Sequence, residues 1–78
     1  MQFRRGDTVR VALKSSYRHE LNGLIGVVRA VYDYGVDVEL GSDPAGIQKV
    51  IGTGGVTGPA VPGTIRRMFQ FNELEHVE

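Results

Sequence analysis

Nine cationic side chains, three tyrosines and two histidines are the groups in this 78-residue chain whose types could do chemistry. Arg4, Arg5, Arg10, Lys14, Arg18, Arg66 and Arg67 would track a phosphate backbone if a fold gathered them on one face. Tyr17, Arg18, Tyr32 and Tyr34 are suited to anchoring a protein partner, because tyrosine and arginine bring large contact area together with a polar group. His19 and His76 lie far apart, and neither stands at a metal-ligand spacing with another histidine or a carboxylate pair. Ser15 and Ser16 have His19 nearby, yet no strand-turn-helix elbow surrounds them, and a hydroxyl without an oriented base is inert. With no cysteine, the chain has no disulfide, no thiolate metal site and no cysteine nucleophile. This inventory predicts a non-enzymatic protein with no metal and no small-molecule cofactor.

The composition narrows the setting. Hydrophobic residues make up 41% and charged residues 23%, ordinary values for a globular chain, and no apolar run approaches the roughly 20 residues that cross a bilayer. The opening MQFRRGD is basic but leads into no apolar stretch with a small-residue cleavage site, so a cytoplasmic protein without a membrane partner is expected. A single domain is expected over residues 1–78; a chain of this length buries only about 60% of its unfolded surface, so its core is thin. Nine basic and nine acidic residues cancel, but in blocks. Residues 1–30 are mostly basic, whereas Asp33, Asp37, Glu39 and Asp43 follow with no cation among them. Lys49, Arg66 and Arg67 then precede Glu73, Glu75 and Glu78. Blocks of this kind predict opposite charges meeting across neighbouring strands.

The elements that must position these groups are strands. Val9, Val11 and Leu13 alternate with Thr8, Arg10 and Ala12, the period-two pattern of a half-buried strand, after turn residues Gly6-Asp7. Leu24 to Tyr32 is β-branched and aromatic on both faces, which predicts a central or bent strand, with Gly26 as the place for a bend or bulge. Asp33-Tyr34-Gly35 then makes a tight turn into Val36-Asp37-Val38-Glu39-Leu40, a second clean alternation and hence a hairpin. A fourth strand is expected over residues 65–71 with Met68, Phe69 and Phe71 in the core, then a short turn at Asn72-Glu73-Leu74 and a last strand over 75–77. The fold class is therefore all-β, five short strands bent into a small barrel.

Residues 41–63, between the third and fourth strands, hold seven of the eleven glycines and all three prolines. So long a structureless loop is uncommon in a compact domain, and Ile47 to Ile51 is read as a short added strand within it. Ile47, Val50 and Ile51 then join the tyrosines as candidate partner contacts if the insert orders against a partner; the alternative is a tolerated surface loop. Phosphate binding is excluded, since Gly52 to Gly58 fits neither the dinucleotide spacing nor a P-loop, and no helix is expected to follow.

Gly6-Asp7-Thr8-Val9-Arg10-Val11, then Asn22-Gly23-Leu24-Ile25-Gly26-Val27-Val28, then Val36 to Leu40, resembles the KOW-type signature on a Src-homology-3-like barrel. The ending, Phe71 to Val77, is similar to the short turn and closing strand of such barrels, so the resemblance covers residues 4–40 and 65–77 and leaves the glycine-rich insert unmatched. It implies a five-stranded Src-homology-3-like barrel carrying a long Gly/Pro-rich insert between strands three and four. Similar barrels contact RNA or proteins in ribosomal proteins and transcription elongation factors, dock to proteins in a small photosystem I subunit, and occur in small phage and bacterial proteins. Where the family carries basic residues before its first glycine, this chain has Glu20-Leu21-Asn22. That departure and the zero net charge rank a protein partner or self-assembly above nucleic acid, whose binding rests on cations that displace counterions.

Overall fold

The computed structural model describes residues 3–13, 19–52, 61 and 63–77. Its frame is one five-stranded antiparallel sheet in the order β4-β3-β2-β1-β5, built from β1 (Thr8–Val11), β2 (Ile25–Tyr32), β3 (Gly35–Leu40), β4 (Ile65–Phe69) and β5 (Leu74–His76). Single 3₁₀ turns precede β2 at His19–Leu21 and β5 at Phe71–Glu73. Among the described residues no ladder joins β4 to β5, so the sheet is curved but not closed. No described helix is long and apolar enough to cross a membrane.

One face of the sheet is the main core. Val9 and Val11 of β1, Val28 of β2, Val36, Val38 and Leu40 of β3, Phe69 of β4 and Leu74 of β5 pack there with Phe3 and Leu21. The strand alternation places Val9, Val11, Val36, Val38, Leu40 and Phe69 correctly; Phe71, expected in the fourth strand, lies in the 3₁₀ turn and packs on the core only in part, and Leu74, expected in the turn, opens β5. Met68 was expected inside but sits exposed, because its register partner is Asp37 on the outer face, while Phe69 pairs with inward-facing Val36.

Residues 44–52 do not form the added strand expected from Ile47 to Ile51; they form a helix, α1 (Pro44–Gly52). The physical reason is local. Asp43 caps the start, its Oδ1 accepting the Gly46 N–H at 3.3 Å, and Pro44 occupies the first helical position, where its missing N–H costs nothing. Ile47, Val50 and Ile51 then fall at i, i+3 and i+4, one helical stripe rather than a strand alternation. Ile47 and Ile51 bury that stripe on Val27 of β2, with Val61 beside them, giving a second, smaller core on the outer face. The helix end is tied to the start of the chain: Arg5 Nη2 donates to the Ile51 carbonyl at 2.6 Å, and Gln48 Nε2 donates to the Gly6 carbonyl at 2.9 Å and to Thr8 Oγ1 at 2.6 Å. These bonds explain why β2 reads as apolar on both faces: the core lies on one side and the helix on the other.

The irregularity expected at Gly26 lies elsewhere. The β2–β3 register shifts between Val28 and Ala30, so the bulged residue is Arg29. Gly26 serves a different need. A Cβ there would stand 2.6 Å from the Glu39 carbonyl oxygen and 2.8 Å from side-chain carbons of Val38 and Leu40. Gly26→Ala is therefore expected to destabilise by about 1–3 kcal/mol through overpacking, whereas Gly52→Ala, with open space around it, should be neutral or slightly stabilising. Urea midpoints of the two variants check this contrast.

Candidate functional site

Among the described residues, the candidate cations are spread over the turn before β1, β1 itself and β4. Arg10 on β1 pairs with Glu75, its register partner on β5, at 3.3 Å, and Arg66 on β4 is bonded to Asp37 on β3. The hydrogen bond to Asp37 is the main cause that raises the Arg66 pKa above its ordinary value; burial opposes it, and Asp37, Glu39 and Tyr32 add favourable charge. Arg66 and Arg67 are successive on β4 and so leave opposite faces of the sheet, with Arg67 Nη1 donating to the Arg66 carbonyl at 2.9 Å. Arg4 and Arg5 occupy the turn before β1, where the Asp7 carboxylate accepts the Arg4 N–H at 2.9 Å. Lys14, Tyr17 and Arg18 lie outside the described residues. Strands β1 and β4, which carry the other cations, are separated by β2 and β3.

A seventh arginine, which the sequence gave no reason to single out, is the most deeply buried cation among the described residues. Arg29 and Glu39 are both fully buried on the outer face of β2 and β3, where Arg29 Nη1 lies 2.7 Å from Glu39 Oε1. The second oxygen, Glu39 Oε2, accepts the Val61 N–H at 2.6 Å and the Thr64 hydroxyl. Arg29 is the residue at the β2–β3 register shift, on the same face as Val27, which is opposite Glu39. Charges taken out of water are costly unless paired and hydrogen-bonded; the Glu39 carboxylate is hydrogen-bonded on both oxygens, while the buried Arg29 Nε makes no hydrogen bond among the described residues. This arrangement joins β2, β3 and the segment before β4, a tie within the architecture.

His76 is likewise engaged. Its Nε2 lies 3.0 Å from Asp7 Oδ2, and its ring stacks on Phe3 with centroids 4.6 Å apart, fastening β5 to the segment ahead of β1. His19 opens the first 3₁₀ turn rather than lying in an extended loop. Among the described residues, no three histidine, aspartate or glutamate side chains gather as a metal-binding group.

Of the candidate partner contacts on α1, Ile47 and Ile51 are buried against β2 and Val50 is half-buried. Among the described candidates, Tyr32 and Tyr34 are exposed. They stand at the tip of the β2–β3 hairpin, rings 5.3 Å apart and within 6° of parallel, and Tyr34 is 71% exposed. Stacking restrains both rings before any contact is made. Met68 extends the same patch: Tyr32 is opposite Gly35, Asp37 is on the same face as Gly35, and Met68 is opposite Asp37. A Cβ at Gly35 would meet the Met68 sulfur at 3.3 Å, so the thioether lies across the glycine beside the tyrosine pair. The Asp37–Arg66 ion pair borders the patch on its polar side.

At the other end of the hairpin, Leu24 and Ile65 are also exposed and line a cleft with Leu40, Gly41, Ser42 and Gly63. Neither Met68 nor this cleft was marked by the sequence. Met68 is placed outside only by the β3–β4 register, and the cleft joins three separate segments and has no local signature. No family model, no curated protein and no solved structure matches this chain.

Proposed function

We propose that this chain is a non-enzymatic protein-interaction or assembly module on a Src-homology-3-like barrel, with residues 41–63 as an insert whose first part, α1, braces the sheet. The observation that supports this reading is the exposed patch at the hairpin tip, Tyr32 and Tyr34 stacked and Met68 beside them. Tyrosine, methionine and arginine are the residue types enriched where proteins meet, and a rigid aromatic pair loses little entropy on docking. The order of strands, with a 3₁₀ turn before the last one, supports the barrel resemblance.

The nucleic-acid reading is the second one, carried by the arginines. Arg10 and Arg66 are already paired with carboxylates, and the other described candidates lie in the turn before β1 and on β4, two strands away, which argues against a phosphate-tracking face. Retention on heparin and on a mixed RNA pool separates the two. We expect no retention at low salt; binding that falls steeply as salt rises would overturn the protein-partner reading in favour of nucleic acid. A photoreactive amino acid at position 34, used in the native host, gives the positive arm: protein adducts that disappear in Met68→Ser support the patch, and nucleic-acid adducts alone refute it.

A further inference from the structure

The sheet ends on one side at β4, and among the described residues no strand lies beyond it. Which of its backbone groups face that open edge follows from the hydrogen-bond alternation of an antiparallel ladder. The Gly41 N–H donates to the Ile25 carbonyl at 3.2 Å, so Gly41 turns its N–H and C=O toward β2, and Glu39 and Asp37 do the same. Leu40, Val38 and Val36 therefore turn theirs toward β4, where they meet Ile65, Arg67 and Phe69. Residues 64, 66, 68 and 70 turn the other way, off the edge of the sheet.

Both ends of this edge are already engaged. The Thr64 N–H donates to the Val61 carbonyl at 3.2 Å, the Gln70 N–H donates to Glu73 Oε1 at 2.8 Å, and the Gln70 carbonyl accepts the Glu73 N–H at 3.0 Å. Between them, the Arg66 carbonyl accepts from Arg67 Nη1 at 2.9 Å, so the guanidinium lies along the open side of its own strand. The edge strand on the far side, β5, has three residues and offers little to a neighbour. β4 sits in a stretch of another kind. Thr64-Ile65-Arg66-Arg67-Met68-Phe69-Gln70-Phe71 is rich in β-branched and aromatic residues, holds no proline, and has two arginines as its sole charges. Such segments readily add a strand from another chain. Arg66 is tied to Asp37 on the outer face, which leaves Arg67 as the charge not offset by a carboxylate among the described residues.

We infer that Arg67 guards the open edge of β4 against pairing with a second copy of the chain. It acts in two ways. Its guanidinium occupies the Arg66 carbonyl, an acceptor that an incoming strand needs. When two β4 strands meet antiparallel with residue 66 of one opposite residue 68 of the other, Arg67 also falls opposite Arg67, and like charges directly opposed disfavour the pairing. The guard goes beyond the hairpin-tip reading and holds whatever partner meets that tip: it keeps contacts between copies off the sheet edge.

Amide hydrogen exchange at residues 66 and 68, followed from micromolar to millimolar protein alongside sedimentation, tests the inference. In the wild type both amides are expected to exchange freely at every concentration. Arg67→Thr removes the cap and sets threonine opposite threonine. It should self-associate more tightly than the wild type, on the order of tenfold or more, and protect both amides as it does so. Arg4→Thr removes the same charge in the turn before β1, away from the edge, and should behave as the wild type. Arg67→Ser takes the place of Arg67→Thr should the latter lose the fold by circular dichroism. Wild-type association that leaves amides 66 and 68 unprotected is contact elsewhere and agrees with the inference. Protection of these amides in the wild type, an Arg67→Thr chain that stays monomeric or associates without protecting them, or equal association of Arg4→Thr would each overturn it.

Discussion

Glu39→Leu is expected to lower the stability of the protein by about 3–5 kcal/mol, the characteristic loss when one partner of a buried ion pair is removed and the other charge stays behind. At about 0.05–0.15 kcal/mol per residue, a chain of this length has on the order of 4–12 kcal/mol in total, so the variant loses much of its margin. Three bonds go at once, those from Arg29, from the Val61 N–H and from the Thr64 hydroxyl, and Arg29 is left fully buried without its carboxylate. The penalty belongs to the stranded charge more than to the lost attraction. Arg29→Met combined with Glu39→Leu should therefore recover most of the loss, and it should do so only as a pair. Urea unfolding of the two single variants and the double variant gives the coupling energy directly. If the singles are mild and simply add, the pair does not have the architectural weight given to it here.

The second large effect is expected at the helix. Ile47 is completely buried, and truncating a buried isoleucine to alanine costs about 2–5 kcal/mol, depending on how far the surroundings collapse. Collapse is hard at this site, because Ile47 packs on a β-strand that is fixed on its other face by the main core. Ile47→Ala should loosen α1 before it unfolds the sheet. Hydrogen exchange is expected to quicken over residues 44–52 first, while amides of β1 and β2 keep their protection. Lys49→Ala, on the exposed side of the same helix, is the matched control and should change little. Uniform loss of protection across strands and helix would show that the two cores are a single cooperative unit.

The strands were legible in the sequence because each buries one face and their alternation reports it. Val36-Asp37-Val38 and Thr8-Val9-Arg10-Val11 need no knowledge of the rest of the chain to be placed. The helix was misread because Ile47, Val50 and Ile51 are β-branched and lie among glycines, and local propensity then pointed to a strand. The better signal was the Asp43-Pro44 start combined with the i, i+3, i+4 spacing, which only the tertiary surface on Val27 makes decisive. Arg29 and Glu39 were hidden for another reason. Each sits at a position that alternation assigns to the outside of the sheet, and nothing near them in sequence reveals that a helix from another segment covers that outside. The hairpin tyrosines were legible as exposed aromatics, whereas their partner Met68 required knowing the register of a strand some thirty positions away.

The pairing of β1 with β5 has a consequence for how the molecule comes into being. Val9 lies opposite His76 and Val11 opposite Leu74, so the first strand shares a ladder with the last one described. Contacts of such long sequence separation must close a large loop before they return any energy, and folds dominated by them reach the native state slowly, in milliseconds to seconds. On a ribosome the hairpin of β2 and β3 can form while the remainder is still being made. β1 cannot acquire its second neighbour until residue 76 has emerged. Through that interval one side of β1 carries unanswered amides and carbonyls, and the time spent in that state, more than the stability of the finished sheet, sets how readily newly made chains pair with one another.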